Sequence, residues 1–294
     1  MPADRPFDPA LPIDLHTHSW ASDGTESPAE VVRQAARAGL GTLALTDHDT
    51  AAGWGEAAAE ARTLGLAFVP GIEFSSQLAY ASVHVLGYLV DPDEPALRAE
   101  TDAVRTSRVT RAERMVERIG ADYDLTWRDV LDATDEGATV GRPHIADALV
   151  RKGIVADRDE AFRTVLHWRG GYYQPHHAPD PERVVRLIRG AGGVPVLAHP
   201  ATRGRAVMAG ERIAALVDAG LLGLEIGHRE NDEQGRATLR HYARRYDLIV
   251  TGSSDYHGSG KPNRLGEHTT SPEMLDRIIA AGTGSDVVPA TSTS

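Results

Sequence analysis

A short apolar segment that ends in two histidines, Ile13-Asp14-Leu15-His16-Thr17-His18, is the most informative stretch of this chain. Side chains of a β-strand alternate between its two faces, so His16 and His18 share a face if the strand continues through them. Two imidazoles in this arrangement can bind one metal ion together. A single His-x-His is weak evidence, so a metal site requires further ligands from other parts of the chain.

The composition is that of an acidic globular protein. The chain has 294 residues, of which 41% are hydrophobic, and its formal net charge is −11. This charge disfavours binding to duplex DNA or to an anionic membrane. Cysteine is absent, which excludes disulfides and thiolate ligands, so any metal must bind nitrogen and oxygen. We find neither a signal peptide nor a membrane-spanning apolar run, and we therefore expect a cytoplasmic protein.

Seven short apolar runs alternate with helix-like segments. The runs are often β-branched and rarely interrupted by polar residues, as expected of strands covered on both faces. Cap-then-proline patterns such as Ser27-Pro28 and Asp180-Pro181 mark helix starts. This order predicts an α/β fold with a parallel sheet, and seven strands favour a barrel, although periodicity alone leaves an open sheet possible. The predicted strands are Pro12–Leu15, Gly41–Leu45, Leu66–Val69, Val83–Leu89, Val194–Ala198, Leu221–Ile226 and Leu248–Val250.

The interval between the fourth and fifth predicted strands is too long for a simple connection. Residues 95–175 have helical patterning and many arginines, and we predict that they form a helical insertion or cap domain. Residues 11–94 and 176–283 then form one discontinuous metal-binding barrel. The final residues, 284–294, are rich in Ser, Thr, Gly and Pro and are predicted to form a disordered tail.

Histidines and carboxylates recur at the ends of the predicted strands. One such histidine is more often a buried structural residue than a ligand. In α/β barrels, however, the carboxyl ends of the strands converge on one mouth, where catalytic groups collect. Repetition of the pattern after most strands therefore predicts a metal centre at this mouth. The candidate ligands, all near strand ends except one within the fourth strand, are His16, His18, Asp23, His48, Glu73, His84, His199, Asp255 and His257.

In order, spacing and residue type, these nine positions resemble the PHP (polymerase and histidinol phosphatase) family of metal-dependent phosphoesterases. The resemblance extends over residues 11–275 and implies a distorted (β/α)7 barrel with three divalent metal ions. Imidazole and carboxylate ligands suit Mn²⁺, which we expect, and also Fe²⁺ or Zn²⁺. The resemblance assigns His16, His18, Glu73 and Asp255 to the first ion, Glu73, His84 and His199 to the second, and Asp23, His48 and His257 to the third.

The insert, which contains Gly141-Arg142-Pro143-His144, resembles one branch of this family. That branch comprises 3′,5′-nucleoside bisphosphate phosphatases and RNase AM-like 5′→3′ exoribonucleases. The implied reaction is hydrolysis of the 3′-phosphate ester of a nucleoside 3′,5′-bisphosphate, or of short single-stranded 5′-phosphorylated RNA, by a metal-bridging hydroxide without a unique protein base. Arg142 and His144 are candidate contacts to a substrate phosphate, unless they only begin a helix.

Several assignments remain open from sequence. Asp14 and Asp47 are candidates to orient the ligand imidazoles through their second nitrogen, whereas Asp49 is as consistent with a helix cap or turn. Arg108 and Arg111 are weaker candidates for phosphate binding, and an aromatic residue of the insert such as Tyr173 could stack on a base. The alternative functions are a histidinol-phosphate or other small-molecule phosphomonoesterase and a non-catalytic metal-binding regulatory module.

Overall fold

The computed structural model describes residues 5–79, 81–135, 138–175, 177–202 and 207–290. Within these ranges, seven strands form one sheet whose spatial order is the order of the chain. Each strand overlaps one of the seven predicted runs. The strands are β1 (Ile13–Asp14), β2 (Thr42–Leu45), β3 (Ala67–Leu78), β4 (Ala81–Tyr88), β5 (Val194–Leu197), β6 (Gly223–Gly227) and β7 (Ile249–Gly252).

Helices follow most strands and begin where the capping signals predict. Ser27 accepts a hydrogen bond from the backbone N–H of Glu30 at 3.0 Å, and Pro28 occupies the first helical turn. None of the helices in the described ranges is both long and apolar enough to cross a membrane. The barrel helices are α1 (Pro28–Arg37), α2 (Trp54–Leu64), α7 (Pro181–Gly190), α8 (Gly210–Ala219), α9 (Glu233–Arg245) and α10 (Pro272–Ala281), and the insert contains α3 (Pro95–Ile119), α4 (Trp127–Leu131), α5 (Arg142–Arg151) and α6 (Arg158–Arg163).

The expectation of an entirely parallel sheet is wrong at β4, which pairs antiparallel with both β3 and β5. A parallel connection needs a dozen or more residues to cross over. Because β3 ends at Leu78 and β4 begins at Ala81, the two strands can only form a hairpin. This hairpin explains why the barrel is distorted, and it places Glu73 of β3 and His84 of β4 on adjacent strands.

The sheet curves into a nearly closed barrel. An isolated parallel bridge joins Thr17, beyond β1, to Tyr256, beyond β7, and the N–H of His18 donates to the Tyr256 carbonyl at 2.8 Å. Leu15, Leu86 and Val196 are buried in one apolar cluster of the barrel. The carboxyl ends of β1, β2, β5 and β7 therefore open at the same mouth.

The helical insert has an apolar core of its own. Met115, Ile119, Ile145 and Leu149 are all fully buried within it. This core is consistent with the predicted cap domain, whose boundaries at 95 and 175 stay a prediction. The Arg158 guanidinium binds both carboxylate oxygens of Asp147 at 2.6 Å.

The disordered tail predicted for 284–294 is wrong for the residues that the structure describes. Val288 exchanges two backbone hydrogen bonds of 2.9 Å with Phe68, and the Ala290 N–H donates to the Pro6 carbonyl at 2.8 Å. Val287 and Val288 also pack against apolar clusters of the barrel, and this burial stabilises the segment despite its polar composition. Residues 291–294 lie outside the described ranges.

Candidate metal centre and substrate cleft

The nine candidate ligands meet at the mouth of the barrel. His16 and His18 follow β1, and His48 follows β2, while Glu73 and His84 lie within the β3–β4 hairpin. Most of these side chains are buried, and His16 and His18 are completely inaccessible to solvent. The other ligands, on the loops that follow β1, β5 and β7, are Asp23, His199, Asp255 and His257.

The tightest cluster comprises His16, His18, Glu73 and Asp255. The Nε2 atoms of the two histidines are 3.1 Å apart, and each lies 3.2 to 3.4 Å from Glu73 Oε2 and Asp255 Oδ1. Metal bonds of about 2.0–2.2 Å place tetrahedral ligand atoms about 3.3–3.6 Å apart and neighbouring octahedral ones about 2.8–3.1 Å apart. The observed separations fall in this range, so the four atoms can hold one ion with little rearrangement.

Glu73 presents its two oxygens to different groups of imidazoles. Oε2 faces His16 and His18 and lies 3.2 Å from His48 Nδ1. Oε1 lies 2.8 Å from His84 Nδ1 and 3.1 Å from His199 Nε2. A carboxylate arranged in this way can bridge two neighbouring ions.

A third group surrounds Asp23. His257 Nε2 lies 3.2 Å from Asp23 Oδ1, and His48 Nε2 lies 3.8 Å from Oδ2. His48 thus has one nitrogen toward Glu73 and the other toward Asp23. His18 Nδ1 is also 3.7 Å from Asp23, but its Nε2 is already directed into the first cluster.

Several buried polar atoms of the centre have no hydrogen-bond partner among the residues that the structure describes, although such atoms are normally paired. They include His48 Nδ1, His84 Nδ1, Glu73 Oε2 and His257 Nε2. Each points toward another candidate ligand. Divalent cations bound within these neighbouring groups would satisfy them, so the donor set fits a metal centre of nitrogen and oxygen ligands.

Neighbouring carboxylates favour the protonated form of several imidazoles of the centre. Burial lowers the pKa of His16, but Glu225, Glu73 and Asp255 outweigh this effect and raise the pKa well above its ordinary value. Burial likewise lowers the pKa of His18, but the neighbouring carboxylates of Asp255 and Glu73 raise it to about 9. Imidazoles that bind a metal must be unprotonated, so protons compete with metal here at neutral pH.

We therefore expect metal binding to release protons. The affinity for metal should keep increasing at pH values well above the ordinary pKa of histidine. Because the pKa of His18 is raised to about 9, the apparent Kd for Mn²⁺ should fall continuously from pH 7 to pH 9, by about tenfold per pH unit for each proton displaced. Calorimetric titration in buffers of different ionisation enthalpy measures both the apparent Kd and the number of protons released. A Kd that is constant above about pH 7.5 would contradict the raised pKa values.

Glu225 is a buried acid that contacts Nδ1 of His16, the nitrogen that is not directed at the candidate metal site. This acid was not predicted from the sequence. Glu225 Oε1 lies 3.0 Å from His16 Nδ1, and its Oε2 accepts the backbone N–H of His199 at 2.8 Å. A carboxylate on the second nitrogen fixes the tautomer and orientation of a ligand histidine. An acidic residue inside the apolar run Leu224-Glu225-Ile226 was the signal available in the sequence.

Asp14 and Asp47, predicted to orient imidazoles, bind other groups. Asp14 accepts the backbone N–H groups of Ser254 at 3.0 Å and Gly266 at 2.9 Å. Asp47 accepts the N–H and hydroxyl of Ser19 at 2.8 and 2.7 Å. The loops that carry the ligands contain buried donors that need acceptors, and these two carboxylates supply them. Neither carboxylate is seen to bond an imidazole directly among the described residues, but Asp47 accepts the Ser22 hydroxyl at 2.6 Å, and that hydroxyl lies 3.5 Å from His18 Nδ1.

Asp49 does not cap a helix. It has a left-handed backbone, with φ 54°, and accepts hydrogen bonds from the N–H and hydroxyl of Ser75 at 2.8 and 2.6 Å. Arg108 hydrogen-bonds the same hydroxyl and lies 3.3 Å from the Asp49 carboxylate. Asp49 therefore helps to position an arginine of the insert over the barrel mouth.

Four arginines of the insert, Arg108, Arg111, Arg142 and Arg158, line the same cleft as the candidate metal ligands, which has a volume of about 950 Å³. Burial, together with repulsion by Arg142 and Arg108, lowers the pKa of Arg111 to about 9. Guanidiniums that repel one another in this way form a favourable site for an anion such as phosphate. The arginines and the candidate metal ligands thus line one cleft.

His144 is buried beside this cleft, where it serves as a helix cap. Its Nδ1 accepts the N–H of Gly141 at 3.0 Å, at the start of α5. Burial lowers its pKa, so the ring is neutral near pH 7. Its contact with substrate stays a prediction.

His228 and Lys261 border the first cluster. The His228 Nδ1 accepts the N–H of Glu230 at 3.2 Å, so a neutral ring carries its proton on Nε2, which lies 3.6 Å from Asp255 Oδ2. Lys261 Nζ donates to that oxygen at 2.8 Å. Asp255 therefore directs Oδ1 toward the imidazoles while Oδ2 faces these two donors.

Comparison with known proteins identifies the family. Residues 14–149 match the model of the PHP domain. A 3′,5′-nucleoside bisphosphate phosphatase of Chromobacterium violaceum is 36% identical over 280 residues, which cover 91% of this chain and 94% of that protein. The chain belongs to the PHP family. A 5′-3′ exoribonuclease of Haemophilus influenzae is 31% identical over 270 residues, or 90% of this chain and 96% of that protein.

A solved structure confirms the fold. A Bifidobacterium adolescentis protein classed as a metal-dependent phosphoesterase superposes with a TM-score of 0.91 at 41% identity, and the match covers 94% of this chain and 98% of the other. The resemblance inferred from the nine positions and the distorted seven-stranded barrel are both confirmed. The roles of individual residues in this PHP protein rest on the geometry described above.

Proposed function

We propose that this protein is a metal-dependent phosphoesterase that hydrolyses the 3′-phosphate ester of nucleoside 3′,5′-bisphosphates and of short single-stranded 5′-phosphorylated RNA. The single observation that carries the proposal is the shared cleft, which is lined both by clustered candidate metal ligands and by arginines of the insert, among them Arg108, Arg111 and Arg142. Such a cleft can bind two phosphates of one ligand at the same time. The names of the C. violaceum and H. influenzae relatives agree with these two substrate classes.

The ligand geometry supports three divalent ions, and we propose Mn²⁺, with Fe²⁺ or Zn²⁺ as alternatives. The first would be held by His16, His18, Glu73 and Asp255, whose ligand atoms are the most closely spaced. His84 and His199, on the other oxygen of Glu73, would hold the second, and His257, His48 and Asp23 the third. Three divalent ions and three carboxylates would give the centre a formal charge of +3. This local positive charge attracts phosphate although the net charge of the chain is −11.

When bound, the ions supply Lewis acidity and lower the pKa of water that they bind, so that it can attack phosphorus near neutral pH. The protein residues position the ester for this attack. Arg142, Arg111 and Arg108 would grip the 5′-phosphate, which holds the nucleoside with its 3′-phosphate at the ligand cluster. Glu225 keeps His16 in one orientation, and Lys261, which lines the cleft, holds the second oxygen of Asp255.

A substrate panel tests this proposal. With Mn²⁺-loaded protein we expect adenosine 3′,5′-bisphosphate to have a kcat/KM at least about a hundredfold above those of 5′-AMP and histidinol phosphate, because only the bisphosphate reaches both the ligand cluster and the arginines. The panel should include a 5′-phosphorylated RNA ladder and its 5′-hydroxyl counterpart, which lacks the clamped phosphate. Faster turnover of histidinol phosphate would favour the alternative small-molecule phosphatase, and no turnover with full metal loading would favour a non-catalytic module.

A further inference from the structure

A second cleft of about 900 Å³ adjoins the metal centre. The β3–β4 hairpin, the segment after β5 and the insert all contribute to it. It meets the first cleft at His84, His199 and Arg142, which line both. A ligand whose phosphate lies between His84 and His199 therefore has two directions in which to extend.

The two clefts differ in chemistry. The first combines arginines with carboxylates, whereas the second is lined mainly by apolar and aromatic side chains, among them Trp168, Tyr173 and Met208. Its lining in the described residues includes no carboxylate, although the whole chain is strongly acidic. Trp168 is 62% exposed, more than any other large hydrophobic side chain of the described ranges. An aromatic side chain exposed beside a cationic centre offers a stacking surface without repelling an anion.

The proposed reaction leaves one part of an RNA substrate without a site. In a phosphodiester the scissile phosphorus carries the 3′ oxygen of the first nucleotide, which departs, and the 5′ oxygen of the second, which stays. In-line attack places the departing oxygen opposite the nucleophile and the retained oxygen to the side. With the first nucleotide in the arginine cleft, the second nucleotide must leave the centre in another direction, and the cleft that contains Trp168 adjoins it there.

We propose that the second cleft is the subsite for the second nucleotide of a 5′-phosphorylated oligonucleotide, with Trp168 stacking on its base. This inference rests on the proposed function and assigns the residue that selects RNA over the bisphosphate. Water adds to phosphorus, the bond from phosphorus to the first 3′ oxygen breaks, and that oxygen takes a proton. The phosphate stays on the second nucleotide, which has a new 5′-phosphate end.

The test compares adenosine 3′,5′-bisphosphate with the dinucleotide pApA, which adds one nucleoside to the same phosphate. For Trp168→Ala we expect the ratio of kcat/KM for pApA to that for the bisphosphate to fall about tenfold, because base stacking is lost only where a second base exists. Trp168→Phe should retain most of the wild-type ratio. With the wild type, a dinucleotide whose second position is abasic should have a kcat/KM about tenfold below that of pApA. Tyr123→Ala, at an exposed aromatic of the insert that lines neither cleft, is the matched control.

A ratio unchanged in Trp168→Ala, or an equal loss on both substrates, would overturn the inference while the proposed function stands. Binding provides a second readout that does not need turnover. A pApA analogue with a methylene in place of the scissile 3′ oxygen should quench tryptophan fluorescence in the wild type and much less in Trp168→Phe. Equal quenching in both proteins would reject the subsite. Failure of the wild type to hydrolyse either substrate would reject the proposed function instead.

Discussion

Replacing Glu73 with glutamine is expected to lower kcat/KM for adenosine 3′,5′-bisphosphate by at least about a thousandfold, or about 4 kcal/mol of transition-state stabilisation. The two oxygens of Glu73 face separate sets of imidazoles, His16 and His18 on one side and His84 and His199 on the other. An amide has no charge and only one oxygen, so it cannot bridge two cations. Steady-state kinetics together with elemental analysis of the purified variant measure the loss of activity and of metal.

The matched control for Glu73→Gln is Glu211→Gln, at an exposed position of α8. This variant should retain wild-type metal content and turnover. Exhaustive chelation of the wild type should reproduce the Glu73→Gln defect, and added Mn²⁺ should restore the wild type but not the variant. Full metal content with near-wild-type turnover in Glu73→Gln, in a protein whose thermal unfolding is unchanged, would contradict the bridging role.

Arg142→Ala is expected to lower kcat/KM for adenosine 3′,5′-bisphosphate by about a hundredfold and to change that for 3′-AMP by less than about threefold. Charge-assisted hydrogen bonds to phosphate contribute about 1.5–3 kcal/mol each, and 3′-AMP has no 5′-phosphate to lose them. The variant should therefore lose most of the preference for the bisphosphate over 3′-AMP. Arg142→Lys should be intermediate, since it keeps the charge but loses the planar fork.

A suitable control for Arg142→Ala is Arg128→Ala. Arg128 also belongs to the insert, but its side chain is 81% exposed and pairs with Asp132 one helical turn away. Removing it should leave both substrates unaffected. If Arg142→Ala lowered kcat/KM equally for the bisphosphate and for 3′-AMP, Arg142 would act on the scissile phosphate. That result would contradict the proposed binding of the 5′-phosphate.

The strands and the candidate ligands were accessible to sequence reasoning because both depend on local pattern. A run such as Thr42–Leu45 is short, mostly apolar and without polar alternation, which is typical of a strand covered on both faces. His48 follows that run closely, and the carboxyl ends of barrel strands converge whatever their side chains. Position along the chain thus predicts which residues can meet at the mouth.

The β3–β4 hairpin, the partners of Asp14 and the role of Glu225 were not accessible in this way. The run Val83–Leu89 looks the same whether it pairs parallel or antiparallel, because strand direction is decided by the connection and by neighbouring strands. Glu225 and His16 are 209 residues apart in the chain, and only the closed barrel brings the carboxylate within 3.0 Å of the imidazole. Local periodicity has no information about such pairs.

The amino-acid sequence by itself determined the seven strands, the helical insert and the kinds of metal ligand available, since alternation, capping and residue chemistry act over a few positions. Only the tertiary structure decided that Glu73 faces two imidazole groups, that Arg108, Arg111 and Arg142 converge on one cleft, and that Trp168 lines another. These arrangements depend on how the insert packs over the barrel mouth. That packing is set by burial of apolar surface from distant segments, which gives the polar side chains positions that their own neighbours in sequence do not specify.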